Sequence, residues 1–454
     1  MGIPGLTTFI RNRSHRYLEY YELHDTYLVI DGNNIRCQLY NSYVKCNCAF
    51  GGDYDKYAQC VSDFFDNLLK CNITPLVLFN GAYENKNMKT AISRTKEKIE
   101  KASSFCPLSQ ERMTFFPLFL TRVFKNVLKE KNIRDVQCLF EAHNVAASVA
   151  KILNCPVLSY DSDFYIYGSL YIPFNTLDKY ATKSGTGKGY LMCCRIYRTE
   201  RLLNSFEGLD ESMLPLVEIL LGNDYVKRTF KNFFRHFKLH GVSRNKHDYQ
   251  QRRIEETFTW LSKYTLDKAI AGILSRLDKP IRQRILHLIE TSINSYTNAS
   301  TEILIPLGFS KEYVAQVNSH HLNRIFKYDG DIDSLTYIEE IDEKDGIDTS
   351  EEEEEEEEEN EIMNIPDESD SMYSNALVSN LPVWFINELL MGKHPPYFLD
   401  LIIRCVYICS PQIEDCNYPS TVMICSRIIN VIFALLKSAV NNEIRDMSYI
   451  TRGS

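Results

Sequence analysis

Five acidic residues stand where short apolar runs stop. Asp31 follows 27–30 (YLVI), Glu141 follows 136–140 (VQCLF), Asp161 and Asp163 follow 156–159 (PVLS), and Asp224 follows 215–222 (PLVEILLG). A further run, 75–79 (PLVLF), ends in Asn80-Gly81. Hard divalent cations such as Mg²⁺ take oxygen ligands, which gathered carboxylates supply. Two such ions activate water and clamp the attacking and leaving oxygens of a phosphodiester. Carboxylates held this close also raise one another's pKa, and a bound cation is the natural compensation. Each motif alone is weak: a DxD pair in a turn is usually a solvated loop, and VIDGNN reads equally as a plain strand exit. Their joint occurrence at several strand ends points to a metal site.

The elements that must bring these residues together are readable. The runs at 27–30, 75–79, 136–140 and 156–159 are short and β-rich, and the gaps between them can hold helices, so a mainly parallel α/β sheet is expected. In such sheets ligands bind outside the carboxyl ends of the strands. Residues 54–71 carry a helical stripe of Tyr57, Val61, Phe64, Phe65 and Leu68. The segment 142–153 is small and apolar (Ala146, Ala147, Val149, Ala150), as suits a helix lying close on a sheet. By contrast 85–101 is rich in Lys and carries Arg94, with too few apolar positions for a core, and reads as a surface helix or a mobile arm.

Composition bounds the rest. The chain has 454 residues, 44% hydrophobic and 24% charged, enough for two or three domains. Its net charge of −9 hides an asymmetry. Residues 329–370 hold 22 acidic residues against Lys344 alone, a local net of −21, which leaves +12 on the remainder. The nine consecutive glutamates 351–359 predict disorder by self-repulsion, with a solvated spacer the plainest role. Between 227 and 253 nine Lys/Arg face one acid, Asp248, with Phe230, Phe233, Phe234 and Phe237 interleaved. That density suffices for phosphate contacts through counterion release, a solvated amphipathic face being the plainer alternative. The fourteen cysteines form no CxxC pair and no zinc-type spacing, which predicts a reducing compartment without a structural metal. The start MGIPGLTTFI lacks a secretory pattern, and the most apolar stretch, 421–436, is broken by Arg427 and too short to span a bilayer. A soluble intracellular protein is expected, neither secreted nor transmembrane.

The motifs MGIPGLTTFI, VIDGNN, LVLFNG, FEAHNVAA, LSYDSDFYIYG and LLGNDY occur in that order over residues 1–226. Together they resemble the flap endonuclease and XPG-like structure-specific nucleases, and within that group most closely the Asteroid family. The resemblance implies a PIN-like α/β domain at 1–226, split into parts 1–105 and 120–226. Beyond it we expect a basic helical extension at 227–328, the acidic insert at 329–375 and a small helical unit at 376–454, folded back on the core. It also implies acidic positions around two Mg²⁺ ions. Asp31 and Glu141 would hold the first, Asp161 and Asp163 the second, with Asp224 as an outer ligand. Asn80 and His143 stand where the family has further acids. Asn80 removes a charge but still offers a carbonyl oxygen, and the imidazole of His143 suits zinc or manganese better than magnesium, so a single ion or Mn²⁺ is the alternative. His143 also reads as a helix N-terminal surface residue with no ligand role.

For nucleic-acid contact the resemblance points to Gly2 at the N-terminal end and to Arg94, Lys98 and Lys101, which lie where such nucleases place an arch over single-stranded DNA. The basic stretch adds Lys227, Arg228, Lys231 and Arg235, but it lacks the glycine-rich helix-hairpin-helix of the flap endonucleases, and duplex gripping is not carried over. The expected function is therefore a metal-dependent endonuclease acting on single-stranded, flap or overhang DNA in repair, with nuclear localisation or else cytoplasmic. No membrane and no small-molecule cofactor are expected, and protein partners in repair are. The competing expectation is a decayed nuclease fold that serves as a DNA-end or protein scaffold. A phosphatase-like or nucleotide-binding reading is far weaker, because the chain has no Walker A sequence, no GxGxxG after its first strand and no nucleophile elbow.

Overall fold

A computed structural model of the chain describes residues 2–44, 51–103, 116–185, 187, 189–222, 246–297, 301–320, 325–332, 378, 381–404, 406–408, 421–440 and 448–449. The apolar runs become strands β2 (Tyr27–Asp31), β3 (Thr74–Phe79), β4 (Arg134–Gln137) and β5 (Val157–Ser159), joined by β6 (Tyr171–Pro173) in one parallel block ordered β4-β3-β2-β5-β6. β6 is absent from the sequence expectation, as are three further strands that complete the sheet, one of them the short β7 (Thr182–Lys183). β1 (Leu18–Leu23) and β8 (Tyr190–Tyr197) pair antiparallel, and β8 closes on β6. β1 reads LEYYEL, buried only at its two ends, so its polar character masked it.

Alternation along the parallel strands feeds two cores. Val29, Leu76, Leu78, Val136 and Val157 point into one, and Leu28, Ile30, Val77, Phe79 and Leu158 into the other. The first is filled by α1 (Leu6–Asn12), α7 (His143–Leu153), α9 (Leu214–Leu221) and the helices between Lys246 and His320. Ala146, Ala147 and Ala150 of α7 are buried there, their small side chains letting the helix lie close on the sheet. The second core takes α3 (Gly32–Tyr43), α4 (Tyr54–Lys70) and α6 (Leu120–Glu130), and α4 buries the five residues of its expected stripe. The Lys-rich stretch is a 19-residue helix, α5 (Asn85–Ser103).

Chain order places the reversal of strand progression between β2 and β5. From β2 the chain steps to β3 and β4 on one side, then crosses to β5 on the other. That switch point, at the carboxyl ends of the strands, is where open α/β sheets open a ligand crevice. Helices Val383–Leu390, Tyr397–Arg404 and Thr421–Val440 lie in the expected C-terminal unit, with a strand pair Val406–Tyr407 and Ser448–Tyr449. The acidic insert beyond residue 332 and the basic stretch up to 245 lie outside the described residues, and with them Asp224, Lys227, Arg228, Lys231 and Arg235. No described helix is long and apolar enough to cross a membrane.

Candidate metal centre

Asp31 ends β2 and caps α3. Its Oδ1 accepts the Asn34 N–H at 3.1 Å, satisfying a helix N-terminal donor that has no intrahelical partner. The residues after it bind the neighbouring strands. Asn33 Oδ1 accepts the Asn80 N–H at 3.2 Å beyond β3, and Asn34 Oδ1 accepts the Tyr160 N–H at 3.0 Å beyond β5. The DGNN turn thus holds three strand ends in register, a role no single residue type signalled.

Ser159, fully buried at the end of β5, donates from Oγ to Asp31 Oδ2 at 2.8 Å and accepts the Asp161 N–H at 3.2 Å. Asp161 then caps a short 3₁₀ turn (Ser162–Tyr165) by accepting the Asp163 N–H at 3.2 Å. The N-terminal segment packs against this turn. Ser162 Oγ donates to the Ile3 carbonyl at 3.2 Å, and a Cβ on Gly2 would overlap Ser162 Oγ and Asp161 Oδ1. Only glycine allows that approach.

His143 opens α7 and stands at the centre, 5% exposed. The expectation of a surface residue at this position fails because the helix starts beneath the strand ends. Its Nε2 lies 3.5 Å from Asp31 Oδ2 and 3.9 Å from Asp161 Oδ2, and its Nδ1 lies 3.4 Å from Glu141 Oε1 and 3.8 Å from Asp163 Oδ2. Burial pulls the imidazole pKa down, but the hydrogen bond to Asp31 and the charges of Asp161, Asp31 and Glu141 outweigh it and carry it up to about 10. Without a metal these carboxylates favour the imidazolium form of the ring, and ligation through one of its nitrogens would displace a proton. The DxD pair splits in response. Against the desolvation that raises it, Asp161 is held below its usual value, chiefly by His143. Asp163 is pushed well above it by burial and by the charges of Asp161 and Glu218. Glu218, on α9, accepts from the Tyr296 hydroxyl at 2.8 Å and was not singled out in the sequence, where it sits inside an apolar run.

A divalent cation fits these donors. Nδ1 of His143 is buried with no hydrogen-bond partner, and ligand atoms of His143, Asp161 and Asp163 all lie within 4.8 Å of one another. The set mixes one imidazole nitrogen with carboxylate oxygens, a donor combination that accommodates Mn²⁺ or Zn²⁺ as readily as Mg²⁺. Asn80 is differently occupied: its Oδ1 accepts the Ala142 N–H at 3.0 Å, tying the end of β3 to the start of α7.

Asp31, Asn80, Glu141, His143 and Asp161 line one cavity of about 330 Å³. Its far wall is α5, which presents Ala91, Arg94, Thr95 and Lys98 at one helical stripe. Arg94 and Lys98 therefore face the carboxylates across the cavity, while Lys101, one step along, is exposed outside it. Acid below and base above suit a ligand that carries negative charge but is held through cations.

No family model matches the chain. Among known proteins it is 34% identical to Protein asteroid of Drosophila melanogaster over 96% of its own length. The chain is a homologue of that protein over most of its own length. It is also 29% identical, over 67% of its length, to the human protein named Single-strand DNA endonuclease ASTE1. The chain spans 58% of the fly relative and 45% of the human one. Among solved structures, human GEN1 bound to Holliday junction DNA aligns with 72% of this chain and 68% of that one, at 14% identity and a TM-score of 0.35.

Proposed function

We propose that the chain is a metal-dependent endonuclease that hydrolyses phosphodiesters in single-stranded, flap or overhang DNA. The observation that carries this reading is the cavity between the carboxylate–imidazole cluster and the Arg94–Lys98 stripe. The similarity to a protein named as a single-strand DNA endonuclease supports the choice of substrate. Divalent ions held there would supply charge neutralisation and a nucleophile at neutral pH. His143, Asp161 and Asp163 are the ligands we assign first, with Asp31 and Glu141 beside them and Asp224 as a further candidate. Asp31 is oriented by two donors and so presents a fixed carboxylate face. Arg94 and Lys98 would hold the phosphodiester, contacts that position a backbone without reading sequence. Gly2, Lys101 and the basic residues Lys227, Arg228, Lys231 and Arg235 would extend the nucleic-acid track. We assign residues 1–226 as the catalytic part, 227–328 as its basic extension, 329–375 as an acidic spacer and 376–454 as a helical unit. Repair in the nucleus, with protein partners there, is the corresponding biological setting.

A second reading has its own observation. The His143 imidazolium already neutralises part of the carboxylate charge, and Asn80 Oδ1 is committed to Ala142, so the cluster can stand as a self-satisfied network. On that reading the fold binds DNA ends without cutting them. The two are separated by incubating labelled single-stranded, 3′-overhang, 5′-flap and duplex DNA with wild type and with Asn80→Asp/His143→Glu, in Mg²⁺ and in Mn²⁺. Cleavage by wild type supports the enzyme, with Mn²⁺ the better ion. Cleavage only by the double variant supports the scaffold.

A further inference from the structure

The C-terminal unit reaches the same cavity from more than 300 residues away. Asp400 sits on the helix Tyr397–Arg404 among Leu399, Leu401, Ile402 and Ile403, 4% exposed. Its Oδ1 accepts the Tyr83 N–H at 3.1 Å and an Arg404 Nη1 hydrogen at 3.1 Å. Tyr83 lines the cavity, three residues after Asn80. We propose that Asp400 is a positioning residue for the candidate site, fixing the 80–84 turn and through it the placement of Asn80 and Glu141. The link to catalysis rests on the nuclease reading; the link to site geometry does not.

Three connections carry the effect. The turn is laced to the loop before Glu141, the Gly81 N–H donating to the Phe140 carbonyl at 2.7 Å and the Ala82 N–H to the Leu139 carbonyl at 2.8 Å. Gly81 has no room for a side chain, since a Cβ would run into the Cys138 and Leu139 carbonyls, so the two loops move as one. Ala82, Leu139 and Phe140 then pack into a separate apolar cluster with Leu381, Phe385, Leu389 and Leu399 of the C-terminal unit. Finally, buried Gln137 at the end of β4 donates from Nε2 to the carbonyls of Leu389 and His394, both at 3.2 Å.

A carboxylate is a costly residue for such an interface. Burial raises Asp400 to about 7, although Arg404 and the Tyr83 N–H both favour its charged form. Arg404 is lowered by the same burial, against the charges of Asp400 and Glu84. The groups facing Asp400 are thus Arg404 on its own helix and Tyr83 and Glu84 on the turn. An apolar side chain would serve adhesion as well. What it could not do is accept the Tyr83 N–H.

The test uses the full chain as wild type, Asp400→Ala and Asp400→Asn. It reads amide-exchange protection in residues 79–84 and 138–142 together with Mn²⁺ affinity by calorimetry. Asp400→Ala is expected to lower loop protection and Mn²⁺ affinity by about tenfold each, the scale of losing a group that orients metal ligands, with β2 protection unchanged. Asp400→Asn keeps the acceptor oxygen and is expected to restore both. Unchanged loop protection in Asp400→Ala, or equal loss in both variants, overturns the proposal. A wild type that binds no Mn²⁺ while loop protection still follows the variants counts against the nuclease reading and supports the positioning role. If Asp400→Ala does not fold, the pH profile decides. Wild-type loop protection should fall between pH ~4 and pH ~7, where the opened loop lets Asp400 ionise and the closed one resists it, and Asp400→Asn should stay flat. A flat wild-type profile overturns the proposal.

Discussion

The two halves of the strand-end crevice are built by different means. On the β2–β5 side, Asp31, Ser159, Asp161 and the Asp163 N–H form a chain of direct hydrogen bonds that orients the carboxylates of Asp31 and Asp161. On the β3–β4 side, Asn80 is held by Ala142, and the turn after it leans on residues from the far end of the chain. The first half is self-contained. The second is held at Asn80 by Asn33 of the DGNN turn but depends on the C-terminal unit at the turn beyond it, so sequence-distant packing bears on this half more than on the other.

That contrast can be broken in order of size. Phe164 lies under the DxD turn, its ring 5.3 Å from His143 and 5.6 Å from Tyr171. Truncating it to Ala should cost about 3–5 kcal/mol in chemical denaturation, the range for buried aromatic-to-Ala changes, and should disturb the β2–β5 half first. Asp400 gives the pH signature of the other half. Its folded pKa is raised, from 3.8 to about 7. Its stabilising contribution is therefore complete below pH ~4 and lost as pH rises to ~7, on the order of a few kcal/mol. Melting temperature should fall from pH 5 to pH 8 in wild type, and Asp400→Asn should flatten that slope. Ser159→Ala removes a donor to a buried carboxylate, worth about 1.5–3 kcal/mol, and should lower Mn²⁺ affinity while sparing amide protection at 79–84. Lys98→Ala should be mildest. It should weaken DNA binding less than tenfold and reduce the salt dependence by about one ion, with Mn²⁺ affinity unchanged.

Four of the five parallel strands, α4 and α7 are legible because buried strands read as apolar runs and amphipathic helices as stripes, while β6 is too short to stand out. The same signals marked Asp31, Asn80, Glu141, Asp161 and Asp163 as strand-end residues, and the structure brings all five to one crevice. β1 was not legible, since a half-polar edge strand looks like surface, whereas β8 is largely buried and apolar and sits inside the sheet. Ser159 and Asn34 lie inside the same motifs, but a serine or an asparagine next to an acid carries no signal of its own. Glu218 and Asp400 were hidden by apolar neighbours, where one acid reads as a solvated turn of helix. The position of His143 was legible but its burial was not, because that depends on how deeply α7 starts beneath the sheet.

Single-turnover cleavage of end-labelled single-stranded DNA in Mn²⁺ tests the central claim most directly, comparing wild type with Asp161→Ala/Asp163→Ala. The site described here predicts cleavage by wild type and a loss on the order of a thousandfold in the double variant, the several kcal/mol that bound metal contributes to the transition state. Equal cleavage by both proteins would contradict it, because the activity would then lie outside the carboxylate–imidazole cluster.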